Sequence, residues 1–261
     1  MNDLKFKPRQ FRKYGELSLT LGWQDLLQAY RRSAIGPFWI TAGMGVQIAT
    51  MGVVFGLIFK TNTTDYVPFL AVSIIIWGFI SSTISESCLA FINAESIIKQ
   101  LDIPFPVHVV RVLWKNALNL IHNLAILPIV FLIFWRGLDL NVLLVLPGLA
   151  LLGINLAWIG LILAMLSARY RDMPPIISSL LTVTFYVTPI MWFPELLPGG
   201  TAHLLLGLNP FYHLLQIVRL PILGASPTVE NWILSFVLAV LGSLTAAAIF
   251  KKHKSQIAYW V

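Results

Sequence analysis

The run VLLVLPGLALLGINLAWIGLILAML, residues 142–166, is followed at once by SARYRDMPP, residues 167–175. The first piece carries no charge and exceeds the about 20 apolar residues that a helix needs to cross hydrocarbon. The second places Arg169, Tyr170, Arg171 and Asp172 ahead of Pro174 and Pro175, and apolar sequence then resumes as far as Phe193. A helix that leaves the hydrocarbon, turns through a short hydrophilic segment and re-enters gives this pattern. It reads as an all-α integral membrane protein. Composition agrees. Of 261 residues, 57% are hydrophobic and only 11% charged, whereas soluble domains carry about a quarter charged; the mean hydropathy is +0.80.

Extending the reading in both directions gives six spans, at 37–59, 67–85, 112–135, 142–166, 176–193 and 232–250. Basic residues collect on the cytoplasmic side of a membrane protein. Of the 18 lysines and arginines, only Lys60, Arg136 and Arg219 fall in the opposite segments, so both termini are expected to be cytoplasmic. This topology accounts for the net charge of +7 and leaves no reason to invoke nucleic acid. The chain reads as one domain, 1–261, with a cytoplasmic interface segment 1–36, a six-span bundle 37–250 and a cytoplasmic tail 251–261. The polar, basic opening segment is not expected to be a cleavable signal peptide. A single cysteine, Cys88, supports no disulfide framework and suits a small core residue.

Three cytoplasmic elements follow. Residues 16–32 place Leu19, Trp23, Leu26, Leu27 and Tyr30 on one helical face, with Gln24, Asp25, Gln28 and Arg31 on other positions. An amphipathic helix lying on the membrane surface fits that pattern. Residues 93–102 put Glu95, Lys99 and Asp102 on one face of a short helix with apolar Ile97, Ile98, Leu101 and Ile103, and Pro104 and Pro106 are expected to stop it. Such a two-faced helix suits a docking partner, although an amphipathic loop has the same composition. The third element is the 167–175 turn, where Asp172 is placed to pair with Arg169 or to cap the next helix. On the other side, Pro194, Pro198, Gly199, Gly200, Pro210, Pro221 and Pro227 divide 194–231 into two apolar pieces too short to span. A pair of helices that dip into the outer leaflet and return is expected there.

No nucleotide-binding glycine loop, HExxH or GxSxG motif is present, and no charge stands in the middle of a predicted span. Proton-coupled carriers normally need such groups. The polar groups that do occur in spans are neutral. Asn116, Asn119 and Asn123 share a face of span three, with His122 nearby, and Ser178, Thr182 and Tyr186 share a face of span five. Interhelical hydrogen bonding explains either set; lining a path explains the second equally well. Gly52 and Gly56 in span one permit close helix approach, and Phe55 and Phe59 lie four apart. Trp39 and other boundary aromatics suit interfacial anchors.

Several segments, taken in order, resemble one family. They are YRRSAIGPFW at 30–39, LDIPFPV at 101–107, RYRD at 169–172, TPIMW at 188–192 and NPFYHLLQIVR at 209–219. The chain resembles the transmembrane subunit of a type-2 ABC exporter, in the Wzm-type branch that moves O-antigen, capsule or teichoic-acid polymers. The resemblance implies a homodimer of six-helix subunits in the bacterial inner membrane. Two copies of a separate nucleotide-binding subunit would carry ATP and magnesium, so that this chain binds no cofactor and is not itself an enzyme. The implied cargo is a polysaccharide linked to undecaprenyl pyrophosphate. By the same resemblance, 93–102 is the coupling helix, with Glu95, Ile98, Lys99, Leu101 and Asp102 as contacts, and 16–32 is the interface helix at the cytoplasmic gate. Tyr30, Arg31 and Arg32 become candidates for the lipid pyrophosphate, although anchoring to anionic membrane lipids explains the arginines as well. An aromatic-lined channel makes candidates of Phe38, Trp39, Phe55 and Phe59 with Ser178, Thr182 and Tyr186. Asn209, Pro210, His213 and Arg219 would belong to a re-entrant external gate. Export of a drug or small lipid is the alternative, and a membrane glycosyl- or acyltransferase is disfavoured by the lack of convergent carboxylates and histidines.

Overall fold

A computed structural model describes residues 8–31, 38–135, 137, 139–196 and 199–261. Among the described residues the chain is helical, without strands. In order, the helices are α1 (Pro8–Tyr30), α2 (Phe38–Phe59), α3 (Thr63–Cys88), α4 (Glu95–Gln100), α5 (Pro106–Leu124), α6 (Ile126–Ile133), α7 (Val145–Arg169), α8 (Met173–Val187), α9 (Gly199–Gly207), α10 (Pro210–Ile222) and α11 (Val229–Trp260).

α3 is the hub. A helix that is apolar on every side must be buried, and the run Phe69 to Trp77 is buried without interruption. Of its apolar window, 78% is buried, against 17% in α2 and in α11, so those two helices leave broad apolar faces exposed. α3 packs against α2, α5, α7, α8 and α10. Gly52 and Gly56 let α2 approach it at Val67, Thr63 and Tyr66, which assigns that glycine pair to packing. α7 and α11 form the broadest helix pair. There Gly242 lies flat against the Trp158 indole, where a Cβ has no room.

Five helices are long and apolar enough to cross a membrane: Trp39–Phe59, Thr63–Cys88, Pro106–Ile133, Leu140–Arg169 and Val229–Trp260. The chain is therefore a multi-pass membrane protein, but the expected fifth span differs. α8 has 15 residues, about 22 Å at 1.5 Å per residue, against about 30 Å of hydrocarbon. It ends because Thr188 precedes Pro189 and is extended (φ −83°, ψ 135°); proline disfavours a helical residue before it.

Prolines also moved other boundaries. Pro106 was expected to stop a helix, yet it occupies the first turn of α5, where its missing N–H is not needed. That helix consequently starts before the expected span at 112. Pro128 separates α5 from α6, since its ring excludes the usual bond to the turn before. The segment 251–261 is not a separate tail. α11 runs on for 32 residues, about 48 Å, so its end stands clear of the hydrocarbon and packs with Phe91, Phe105, Val109 and Met165.

Candidate functional site

α3 carries a polar stripe along one face. Trp77, Ser81 and Ser85 are four apart, with Ser82 and Glu86 one residue further round, and this face meets Ser178, Leu181, Thr182 and Phe185 of α8 across an open cleft of about 470 Å³. Ser178 and Thr182 are exposed, with the Thr182 hydroxyl donating to the Ser178 carbonyl at 3.1 Å. The Trp77 and Phe185 rings stand 6.1 Å apart on the cleft wall, and Phe185 meets Tyr186 edge-on at 5.3 Å. Tyr186 is 61% exposed and lies outside the cleft lining. Hydroxyls hydrogen-bond sugar hydroxyls, and flat rings accept the apolar faces of sugars; Glu86 is the one charge among the lining residues. The sequence reading found the α8 half of this cleft and missed the α3 half. The signal was present in the four-residue spacing of Trp77, Ser81 and Ser85.

The span-one aromatics do not join it. Phe55 stacks on Phe59 at 5.8 Å and Phe59 meets Tyr66 edge-on, inside the α2–α3 contact. Trp39 is 67% exposed, as an interfacial anchor would be. The side chain of Phe38 lies outside the described residues.

At one end of the bundle, α1 lies across α5. Gly22 sits directly against the Arg111 carbonyl and Trp114, while Leu19, Trp23 and Leu27 face away from the protein. The expected amphipathic helix is present, but Asp25 is not on its open face. Both oxygens of Asp25 accept from the Arg111 guanidinium, through Nε and Nη2. Next to this pair, Lys115 Nζ meets Glu86 Oε2 at 2.7 Å and Asn116 Nδ2 donates to the same oxygen at 2.8 Å. That bond makes Asn116 the interhelical group its sequence suggested. Asp25, Arg111, Lys115 and Glu86 line a second cavity of about 590 Å³ between α1, α3 and α5; Glu86 borders both cavities. Arg31 is exposed just past α1, whereas Arg32 and the Tyr30 side chain lie outside the described residues.

α4 stands at the same end. Lys99 Nζ lies 2.6 Å from Glu95 Oε1 and donates to the Val261 carbonyl at 3.1 Å. The Lys99 hydrogen bond and charge, followed by the charge of Arg171, hold the Glu95 carboxyl below the usual carboxylate range. The 167–175 turn is therefore electrically close to α4. Glu95, Lys99, Leu101 and Asp102 are exposed, and Ile98 is half-buried against the end of α11. Among the described residues Asp172 makes no ion pair with Arg169, and its side chain does not cap α8. Arg169 instead lies over the Tyr170 and Trp260 rings, at 5.2 and 5.4 Å.

The opposite end is organised by α10. Asn209 caps it through Oδ1, which accepts from the Phe211 and Tyr212 amides, and Pro210 takes the first turn. The Asn209 amide donates to Thr188 Oγ1 at 2.8 Å. His213 is buried between Asn231 Oδ1 and the Gly207 carbonyl. Arg219 was counted as a loop cation, yet it is 1% exposed. It donates to the Pro189 carbonyl at 2.6 Å, to Ser73 Oγ at 3.1 Å and to Gln216 Oε1 at 2.9 and 3.1 Å, and it lies 4.5 Å above the Phe69 ring. Tyr66 donates to the Met191 carbonyl at 2.6 Å. Non-helical backbone survives at membrane depth only where protein satisfies it, and here Arg219 and Tyr66 do so for the extended segment after α8.

A multi-pass helical bundle with an exposed short helix at one end and a hydroxyl-lined cleft along its hub suits a transport subunit. The chain belongs to the ABC-2 type transporter family, whose model matches residues 16–223. Its relatives include the O-antigen export system permease protein RfbA of Myxococcus xanthus, 23% identical over 259 residues, which are 96% of this chain and 97% of that protein. Two Klebsiella pneumoniae proteins of the same name are 19% and 20% identical, each over 93% of this chain and 94% of theirs. The chain is accordingly an ABC transporter permease related to O-antigen exporters.

Proposed function

We propose that this chain is the membrane subunit of an ATP-driven exporter of lipid-linked polysaccharide, O-antigen first among them, in a bacterial inner membrane. The observation that carries this reading is the hydroxyl-and-aromatic cleft between α3 and α8, in a family member whose relatives bear O-antigen export names. Two copies of the chain form the channel. Each crosses six times, counting α8 with its extended continuation, and α9 and α10 form the re-entrant pair of the external gate, with Asn209, Pro210, His213 and Arg219 at its base. Both termini are cytoplasmic. ATP is hydrolysed on a separate nucleotide-binding subunit that meets α4 through Glu95, Ile98, Lys99, Leu101 and Asp102. The undecaprenyl pyrophosphate carrier enters past Arg31 and Arg32.

Export of a small lipid or drug is the alternative, and a specific feature favours it: an apolar cavity of about 450 Å³ between α7, α8, α10 and α11. Deleting the chain distinguishes the two. The polysaccharide reading expects lipid-linked polymer to accumulate in the cytoplasm, with none at the surface. Unchanged polymer distribution removes it. Co-purification of an ATPase with the intact chain tests the partner.

A further inference from the structure

The cavity between α1, α3 and α5 is not explained by a polymer path. His108, Arg111 and Lys115 follow each other on one face of α5, three and four residues apart, and line it together with Asp25 of α1 and Glu86 of α3. Two features distinguish it from a gap in packing. The Arg111 fork is filled by a carboxylate in the two-point geometry that a guanidinium also offers to phosphate. His108, on the same wall, is 1% exposed, and among the described residues neither of its ring nitrogens has a hydrogen-bond partner. A buried polar group left in that condition is destabilising, and a ligand oxygen in the cavity relieves it.

We propose that this cavity binds the phosphate of a membrane-lipid headgroup, and that Asp25 holds the Arg111 fork until the phosphate displaces it and releases α1. Charge makes this an exchange. With Asp25 and Glu86 in place both cations are neutralised, so an anion gains most by replacing a carboxylate. Asp25 is the one able to leave, because α1 lies outside the bundle and its Leu19, Trp23 and Leu27 already face away from the protein. Glu86 belongs to the central helix and is also held by Asn116. The first turns of α5 lie beside a surface helix, which is the depth of headgroups. Identifying the ligand as the lipid-linked pyrophosphate rather than bulk phospholipid rests on the proposed function; the phosphate chemistry does not.

The test uses the full chain in dodecyl maltoside, which contributes no phosphate. Geranylgeranyl pyrophosphate, dioleoyl phosphatidylglycerol and inorganic phosphate serve as probes, with equilibrium binding and hydrogen exchange of residues 18–28 as readouts. Bound geranylgeranyl pyrophosphate is expected to speed exchange in α1. Asp25→Asn should tighten binding, and Arg111→Gln should weaken it about tenfold to a hundredfold, as for a lost hydrogen bond to a charged group. The neutral double variant Asp25→Asn/Arg111→Gln leaves no unpaired charge and should melt like the parent while failing to bind. Binding that is indifferent to Arg111→Gln, or no tighter in Asp25→Asn, overturns the proposal, as does slowed exchange in α1. Equal affinity for phosphatidylglycerol supports the site and gives it to bulk lipid, and preference for the pyrophosphate supports it as a carrier site. Neither result bears on the export reading, which polymer accumulation decides separately.

Discussion

Replacing Arg219 by methionine removes the guanidinium and keeps an unbranched side chain over Phe69. The consequence depends on which groups lose their only partner. Ser73 Oγ still donates to the Phe69 carbonyl at 2.7 Å, so it loses an acceptor contact alone. Among the described residues the Pro189 carbonyl and Gln216 Oε1 accept from no side chain but Arg219, and both are enclosed. An enclosed, unpaired polar group costs about 1–3 kcal/mol, so the two together cost about 2–6 kcal/mol. Loss of the contact with Phe69 adds up to about 2 kcal/mol when desolvated. Removing a buried charge works the other way, because its own desolvation is no longer incurred, and this sets the expected net loss at about 2–4 kcal/mol. Arg219→Lys keeps one bond and should fall between methionine and the parent. Ser73→Ala should lie within about 1 kcal/mol of the parent. Unfolding of the purified chain by titration with sodium dodecyl sulfate measures all three. If Arg219→Met matches the parent in stability, or Ser73→Ala costs as much as Arg219→Met, the clamp on the segment after α8 is refuted.

Three further outcomes follow from the geometry. Leucine at both Ser82 and Thr182 should fill the α3–α8 cleft and block polymer export while leaving the melting temperature near that of the parent, since both sites are exposed; surface display of polymer together with thermal unfolding separates the two effects. Glu95→Lys and Lys99→Glu should each sever ATP hydrolysis from export, and the double exchange should recover part of the coupling because it restores the pair. An ATPase assay run alongside export decides this, and unchanged coupling in both single variants removes α4 from the mechanism. Gly242→Val forces two methyl groups into the Trp158 indole and should destabilise the α7–α11 pair by about 1–3 kcal/mol, read by the same detergent titration.

Hydropathy made the membrane class legible because the bilayer demands uninterrupted apolar length, and that requirement is written residue by residue. The 142–166 run and the charged turn after it therefore appear as α7 and the α7–α8 connection. Helix ends were harder to read, since one proline can stop a helix, as before Pro189, or open one, as at Pro106. Only the surrounding packing distinguishes those outcomes. Charge was harder still. Counting Arg219 as a loop cation followed from its place between predicted spans, but α10 is buried from His213 to Arg219, so the arginine finds the Pro189 carbonyl and the Phe69 face. Asp25 likewise looked solvent-facing by helical position until α5 supplied Arg111. In both cases the partner is more than twenty residues away, and one chain's pattern contains no record of such pairs.

What links the two ends is α3. Ser73 touches the Arg219 clamp, Trp77 to Ser85 form the wall of the cleft, and Glu86 anchors Lys115 beside the Arg111 pocket. Just beyond its C-terminus, Phe91 packs with Phe105 and the end of α11, against which α4 rests. A helix buried along most of its length cannot bend locally without opening voids; it can shift as a unit. α3 is thus the one rigid element that borders the cleft, the Arg219 clamp and the Arg111 pocket. The weakly held partner is α8, whose only buried residue is Leu181. Motion between α3 and α8 therefore disturbs little packing. It changes the width of the cleft where Ser81 and Ser82 face Ser178 and Thr182, and it loads the Asn209–Thr188 and Arg219–Pro189 bonds at the far end of α8. The width of the cleft and the Asn209–Thr188 and Arg219–Pro189 bonds are consequently linked through α8.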